Sequence, residues 1–414
     1  MTRYRSGEAL VFLVATTVMV VHALDDAFLH RQAGVGLSQH ALAAFISVCA
    51  GVAGIVAFPR LRPGLRAVLS FAFGALALVN GLLHVRHIAL DGPAASDLTG
   101  VLAAGAGAVM IGLAIAIPWR HRGEGAATSK RRWVHRAVAV PVGLVAAIVV
   151  LGPIGIAITE THKYREPVGA APSAAYAPVA FSASDGLDLA GWYRPSRNGA
   201  AVLLVHGGGG DRTGAAAHAQ LLARHGYGVL LYDARGRGES EGSPNSYGWG
   251  WEKDAAGALD FLKGRDEVEP GRIGALGLST GADILIDTAA RRHDVAALVT
   301  DGAAALSFED WHRLRGVTVA APSGWVMFSA IRVLSGDSPG PALEDQVARI
   351  ASPLLLISAG HDVERDFNVD FAHAARAPVE HWNLPEAKHT GAIRQRPAEY
   401  ERRIVAFFDD ALRR

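Results

Sequence analysis

Ser279 stands at the centre of Gly277-Leu278-Ser279-Thr280-Gly281, directly after the apolar run Ile273 to Leu278 and before a helix-like stretch. A sharp strand-to-helix turn crowds the positions around its apex, so small residues flank it and the hydroxyl projects clear of the sheet. That arrangement suits a serine nucleophile. A second glycine cluster, His206-Gly207-Gly208-Gly209-Gly210, follows the apolar run Ala201 to Val205. Gly-rich loops can cradle phosphate, but this one lacks the Lys-Ser/Thr ending of a phosphate-binding loop. Phosphate is therefore not the expected ligand.

The elements that must hold these loops are short and apolar. Ala201 to Val205, Val229 to Tyr232, Ile273 to Leu278, Ala296 to Thr300 and Leu354 to Ser358 have the continuous hydrophobic character of parallel strands covered on both faces. Val179 to Ser182 and Leu187 to Tyr193, joined around Asp185-Gly186, read as an opening hairpin. Helical candidates, Ala215 to His225, Glu252 to Lys263, Gly281 to Arg291 and Ala398 to Leu412, lie between or after the strands. The second half of the chain is thus expected to be an α/β layered domain with a mostly parallel sheet.

These segments resemble the α/β-hydrolase superfamily over residues 179–414. The resemblance rests on His206 to Asp211 after one strand, on Asp233-Ala234-Arg235-Gly236-Arg237-Gly238-Glu239-Ser240 after the next, and on the Ser279 turn. Gly360-His361-Asp362 and Ala387-Lys388-His389-Thr390 complete it. The order Ser, Asp, His along the chain is the one this fold uses. A serine hydroxyl needs a histidine to take its proton, and that histidine needs a carboxylate to hold its tautomer. His389 and Asp362 fit those posts. His361 and His381 are alternative bases, and Asp301, Glu364 and Asp366 are alternative acids. The resemblance assigns the oxyanion-hole donors to the backbone amides of Thr280 and Gly208. Arg235 and Arg237 are read as parts of a structural turn that pairs with nearby carboxylates. The segment 303–349 breaks the strand-helix alternation and is expected to form a small helical cap. Its Trp311, Trp325, Met327, Phe328 and Ile331 would suit an acyl chain or another hydrophobic substrate.

Half of the 414 residues are hydrophobic, and the excess is concentrated before residue 158. Five stretches there approach the ~20 apolar residues of a spanning helix: Ala9 to Leu24, Ala41 to Phe58, Leu65 to Leu83, Leu98 to Pro118 and Ala137 to Ile158. Residues 1–158 are read as a multi-pass membrane region with an uncleaved first helix, and 159–178 as a linker. Arg3 and Arg5, then Arg60, Arg62 and Arg66, then the basic run from Arg120 to Arg136 mark alternate loops as cytoplasmic. Five spans would then place the hydrolase domain outside the cytoplasm. His22, Asp25, Asp26, His30, His84 and His87 gather near the outer end. Such residues can bind metal or relay protons, but polar capping of helix ends is the reading adopted from sequence, with no metal assigned.

With 40 basic and 39 acidic residues the chain has a formal charge of +1 and no global attraction for nucleic acid. A single cysteine, Cys49, excludes an intrachain disulfide and a cysteine metal cluster. The expected activity is a membrane-anchored serine hydrolase acting on an ester, thioester or amide, with no cofactor and with the lipid bilayer and a small-molecule or lipid acyl substrate as partners. An acyltransferase using the same residues, and a non-catalytic membrane sensor or binding protein with a hydrolase-like domain, are the alternatives.

Overall fold

Continuously apolar five- and six-residue runs cannot expose either face to water, and in the computed structural model they stack as the interior of one sheet. The structure describes residues 2–30, 37–95, 97–121, 149–161, 163, 165, 167–314, 321–360 and 363–412. They fall into two compact units, residues 1–164 with 322–336, and residues 165–321 with 337–414.

The second unit is an α/β domain built on eight strands. These are β1 (Ala177–Ser182), β2 (Asp188–Arg194), β3 (Ala201–Val205), β4 (Gly228–Tyr232), β5 (Ile273–Leu278), β6 (Ala297–Asp301), β7 (Leu354–Ala359) and β8 (Val379–Leu384), in the order β1-β2-β4-β3-β5-β6-β7-β8. β1 and β2 form the expected hairpin and β2 pairs antiparallel with β4; every later pairing is parallel. Every residue of β3, β4, β5, β6 and β7 is buried. One core side packs Val202, Leu204, Val229, Leu231, Leu276, Val299, Leu355 and Ile357 against Ile404 and Phe408 of the C-terminal helix Pro397–Leu412. β8 and the helix Val363–Ala374 lie beyond what the hydrophobic pattern indicated.

The first unit is helical: α1 (Thr2–Leu24) continuing into a π-turn (Asp25–Leu29), α2 (Leu37–Ala57), α3 (Pro63–Asp91), α4 (Asp97–Arg120) and α5 (Val149–Thr161). Among the described residues, three helices are long and apolar enough to cross a membrane, Gly7–Leu29, Pro63–Ala89 and Asp97–Arg120. The second expected span falls on a shorter apolar helix, Ala44–Arg60. The fifth overlaps α5, and residues 122–148, which include its first part, lie outside the described residues. Glycines bring α3 and α4 into backbone contact. A Cβ on Gly74 would lie 2.8 Å from Gly107 O, one on Gly107 2.7 Å from Gly74 O, and one on Gly81 2.6 Å from Gly100 O. Small residues at such spacing are how helices approach closely where no hydrophobic effect drives them together. Of the segment expected as a cap, the helix Phe308–Arg313 and the helix Leu343–Val347 belong to the second unit. Residues 322–335 of the helix Ala321–Ser335, with Gly336, group with the first unit.

Candidate active site

Ser279 lies one residue past β5 and caps the helix Thr280–Arg291 with φ 53° and ψ −125°, one of only two non-glycine positive φ values among the described residues. Its neighbours explain why the turn needs glycine. A Cβ on Gly277 would lie 2.4 Å from Gly281 O, and a Cβ on Gly281 would lie 2.4 Å from Val205 O and 2.5 Å from His206 O. No side chain fits at either position. The Ser279 backbone is held on both sides, its N–H donating to Asp301 O at 2.9 Å and its C=O accepting from Ala282 N at 2.7 Å.

His389 Nε2 lies 2.8 Å from Ser279 Oγ, and its Nδ1 lies 2.6 Å from Glu364 Oε2. The Glu364 carboxylate raises the histidine pKa. Glu364 is itself fixed, because its Oε1 accepts from Ala359 N at 2.7 Å at the end of β7. Asn368, one turn along the helix Val363–Ala374, donates to Glu364 O and to Ala303 O. Gly302, at φ +82°, makes room for the imidazole: a Cβ there would meet His389 Cε1 at 2.8 Å.

The sequence points to Asp362 for the carboxylate post, with Glu364 as an alternative. Asp362 and His361 lie outside the described residues, and the carboxylate bonded to His389 is Glu364. Asp301, the other strong alternative, is turned away. Its Oδ2 accepts from Tyr400 Oη at 3.1 Å, and burial pushes its pKa up to about 7. His381 bonds Ser358 Oγ. Asp366 pairs with Arg365.

The glycine loop lies over Ser279. A Cβ on Gly207 would come within 3.3 Å of Ser279 Cβ, and one on Gly208 within 2.7 Å of Thr280 Oγ1. Thr280 begins the helix Thr280–Arg291, and first-turn amides have no carbonyl within their own helix to bond. His206 anchors this loop. Its Nε2 accepts from Ala234 N at 3.1 Å and its Nδ1–H donates to Gly207 O at 2.7 Å; burial lowers its pKa to about 4, so it is neutral. The following turn is scaffold. Asp233 accepts from the amides of Arg212 and Glu239, and Arg235 binds Asp254 and Asp185. Arg237 donates to the carbonyls of Pro244 and Ser246.

The profile of the X-Pro dipeptidyl-peptidase (S15) family matches residues 118–386. The chain belongs to that family. The match covers Ser279 and Glu364 and ends just before His389. This S15 member is 30% identical over 266 residues to an uncharacterized protein of Mycobacterium tuberculosis, an alignment spanning 61% of this chain and 89% of the relative. It is 28% identical over 250 residues to the uncharacterized protein YfhR of Salmonella typhimurium, covering 56% of this chain and 82% of that one. Among solved structures, an esterase of Pyrococcus furiosus superposes with a TM-score of 0.50 at 23% identity, over 61% of this chain and 98% of the esterase. Family and fold together make the second unit a hydrolase of the serine type.

Proposed function

We propose that this chain is a membrane-anchored serine hydrolase that cleaves a carboxylic ester, thioester or amide through an acyl-enzyme on Ser279. The observation that carries this is His389 bridging Ser279 and Glu364 at 2.8 and 2.6 Å, with Ser279 in a left-handed turn. Positive φ on a non-glycine residue costs about 1–3 kcal/mol and persists where the surrounding structure enforces it.

The chemistry follows from the geometry. Glu364 accepts the Nδ1–H of His389, which leaves Nε2 with its lone pair toward Ser279 Oγ. As Oγ attacks the substrate carbonyl, His389 takes its proton. The tetrahedral oxyanion forms beside the amides of Thr280 and Gly208. His389 then gives the proton to the leaving alcohol, thiol or amine. Water, deprotonated by His389, attacks the acyl group, and Ser279 is regenerated.

The family description names X-Pro dipeptides, the Pyrococcus structure is an esterase, and a relative 27% identical over 39% of this chain is the quorum-quenching protein AidA of Acinetobacter baumannii. The scissile bond is therefore tested directly. The detergent-solubilised full chain is labelled with a fluorophosphonate probe, then assayed on short- to long-chain acyl esters and on Xaa-Pro amides. Labelling that disappears in Ser279→Ala is expected; labelling that survives in that variant, or fails in well-folded wild type, would refute an activated Ser279. The positive-inside pattern supports an extracytoplasmic hydrolase domain. A reporter fused after Arg414 that is active only in the cytoplasm would reverse this orientation.

A further inference from the structure

At the end of α1, away from the buried Glu8–Arg66 ion pair (2.8 Å), three helices of the first unit converge on imidazoles and carboxylates. His22 and Asp26 come from α1 and its π-turn, Asn80, His84 and His87 from α3, and Asp97 and Thr99 from α4. His22 Nε2 and His84 Nε2 lie 3.5 and 3.7 Å from Asp26 Oδ2, and all three atoms lie within 4.8 Å of one another. Bonds of ~2.0–2.2 Å to a tetrahedral ion set ligand atoms about 3.3–3.5 Å apart, so two edges of the triangle are already near that span.

The outer atoms are arranged as a ligand set requires. His84 Nδ1 lies 3.2 Å from Asp97 Oδ1, and His22 Nδ1 lies 3.2 Å from Thr99 Oγ1, which itself donates to Asp25 Oδ2 at 2.6 Å. Each imidazole is thus held through Nδ1 and presents Nε2 inward, the orientation that carboxylate-backed metal histidines adopt. The π-turn contributes by letting consecutive residues serve two helices. Asp25 reaches Thr99 on α4 while Asp26 faces His84 on α3. π-turns of this kind recur at functional sites. Gly100 admits the His84 ring against the α4 backbone, since a Cβ there would meet the ring at 2.2 Å.

Charge points the same way. Asp25 and Asp97 are buried, Asp26 is half-buried, and among the described residues no Lys or Arg pairs with any of the three. Carboxylates in a membrane-spanning segment are costly without a cation. Polar capping alone would not require this convergence of Nε2 and carboxylate atoms from two helices.

We propose that His22, Asp26 and His84 bind a divalent transition-metal ion of the Zn2+ class at this end of the helical unit. Two imidazoles and a carboxylate match that class in donor type, and three protein ligands leave a further position for water or for Asn80. Asn80 Nδ2 lies 2.9 Å from His22 Nε2, and rotation of its amide would bring the carbonyl oxygen inward.

The test uses the full chain in detergent, stripped with chelator, loaded with Zn2+ and dialysed. Metal content should reach about one Zn2+ per chain, and Co2+ should give the visible d–d absorption of a four-coordinate site. His84→Ala and Asp26→Asn should each weaken binding at least ~10-fold, while His312→Ala, on an exposed surface, should leave it unchanged. Should either variant fold poorly, the wild-type Co2+ spectrum still decides. Well-folded wild type that binds neither ion, or binding that both variants retain, would overturn the proposal. Fluorophosphonate labelling of Ser279 is independent of these readouts.

Discussion

Exchanging Glu364 for Gln separates the two carboxylates that compete for the orienting role. Glu364 uses one oxygen for Ala359 N–H at 2.7 Å and the other for His389 at 2.6 Å. A glutamine has one oxygen and one NH2, so it cannot serve both donors. If its oxygen keeps Ala359, its NH2 faces His389 Nδ1 and selects the tautomer protonated on Nε2, which cannot accept the serine proton. If the amide turns round, NH2 opposes the Ala359 N–H and leaves a donor unpaired, at about 1–3 kcal/mol. Loss of the orienting carboxylate in serine triads costs about 10^4-fold in kcat, equivalent to about 5 kcal/mol of barrier at 1.36 kcal/mol per decade. Glu364→Gln should therefore lower kcat/KM on the best ester by about that factor, with KM nearly unchanged. Asp362→Asn should stay within about tenfold of wild type. The acid limb of kcat/KM gives a second check. His389 must be neutral to act as base, and Glu364 holds its pKa above 6.5, so the limb of wild type lies above that value and moves down in the variant. A drop of about 10^3-fold or more in Asp362→Asn, with Glu364→Gln nearly active, would refute the assignment.

Three further outcomes bear on the scaffold. Gly281→Ala places a Cβ 2.4 Å from Val205 O, on backbone that cannot yield without moving β3. It should cost about 1–3 kcal/mol, lower the Tm by several degrees and slow labelling; an unchanged melt would contradict the steric account of the turn. Asp301→Asn tests whether that carboxyl is bystander or acid. Between 3.8 and about 7 the folded protein keeps a proton on Asp301 that the unfolded chain has lost, so wild-type stability falls as pH rises through that window and levels off above it. The variant should therefore gain stability relative to wild type across the window in denaturant titrations, and keep its labelling. Arg235→Ala strands the buried carboxylate of Asp254, whose pKa is about 6 even with its partner. A loss of about 3–5 kcal/mol is expected, with unaltered labelling per folded molecule.

The central strands and the nucleophile turn were legible because burial on both faces leaves continuous apolar runs, and because Gly277 and Gly281 are sterically required. β8 was not. Val379 to Leu384 reads Val-Glu-His-Trp-Asn-Leu, and as an edge strand it is only half-buried along most of its length, so no continuous run marks it. The helix Val363–Ala374 was hidden for a related reason: it buries only Phe367, Asn368 and Phe371. Missing that helix obscured Glu364, which bonds His389 from its first turn, whereas the sequence pattern pointed to Asp362, two positions earlier. The cluster of His22, Asp26 and His84 was visible as composition. That its ring nitrogens converge depends on the α3–α4 glycine contacts and the π-turn, which no local pattern encodes.

Ala359 and Leu384 are paired across β7 and β8, and Glu364 and His389 each follow their strand end by the same five residues. The spacing of Glu364 and His389 is thus inherited from a single rung of the ladder and two connectors of equal length. Since a strand advances ~3.3 Å per residue, adding or removing one residue in either connector would displace one partner by more than a hydrogen bond can span, whereas matched changes in both could preserve the pair. Connector length, rather than connector sequence, is the quantity that this part of the enzyme can least afford to vary.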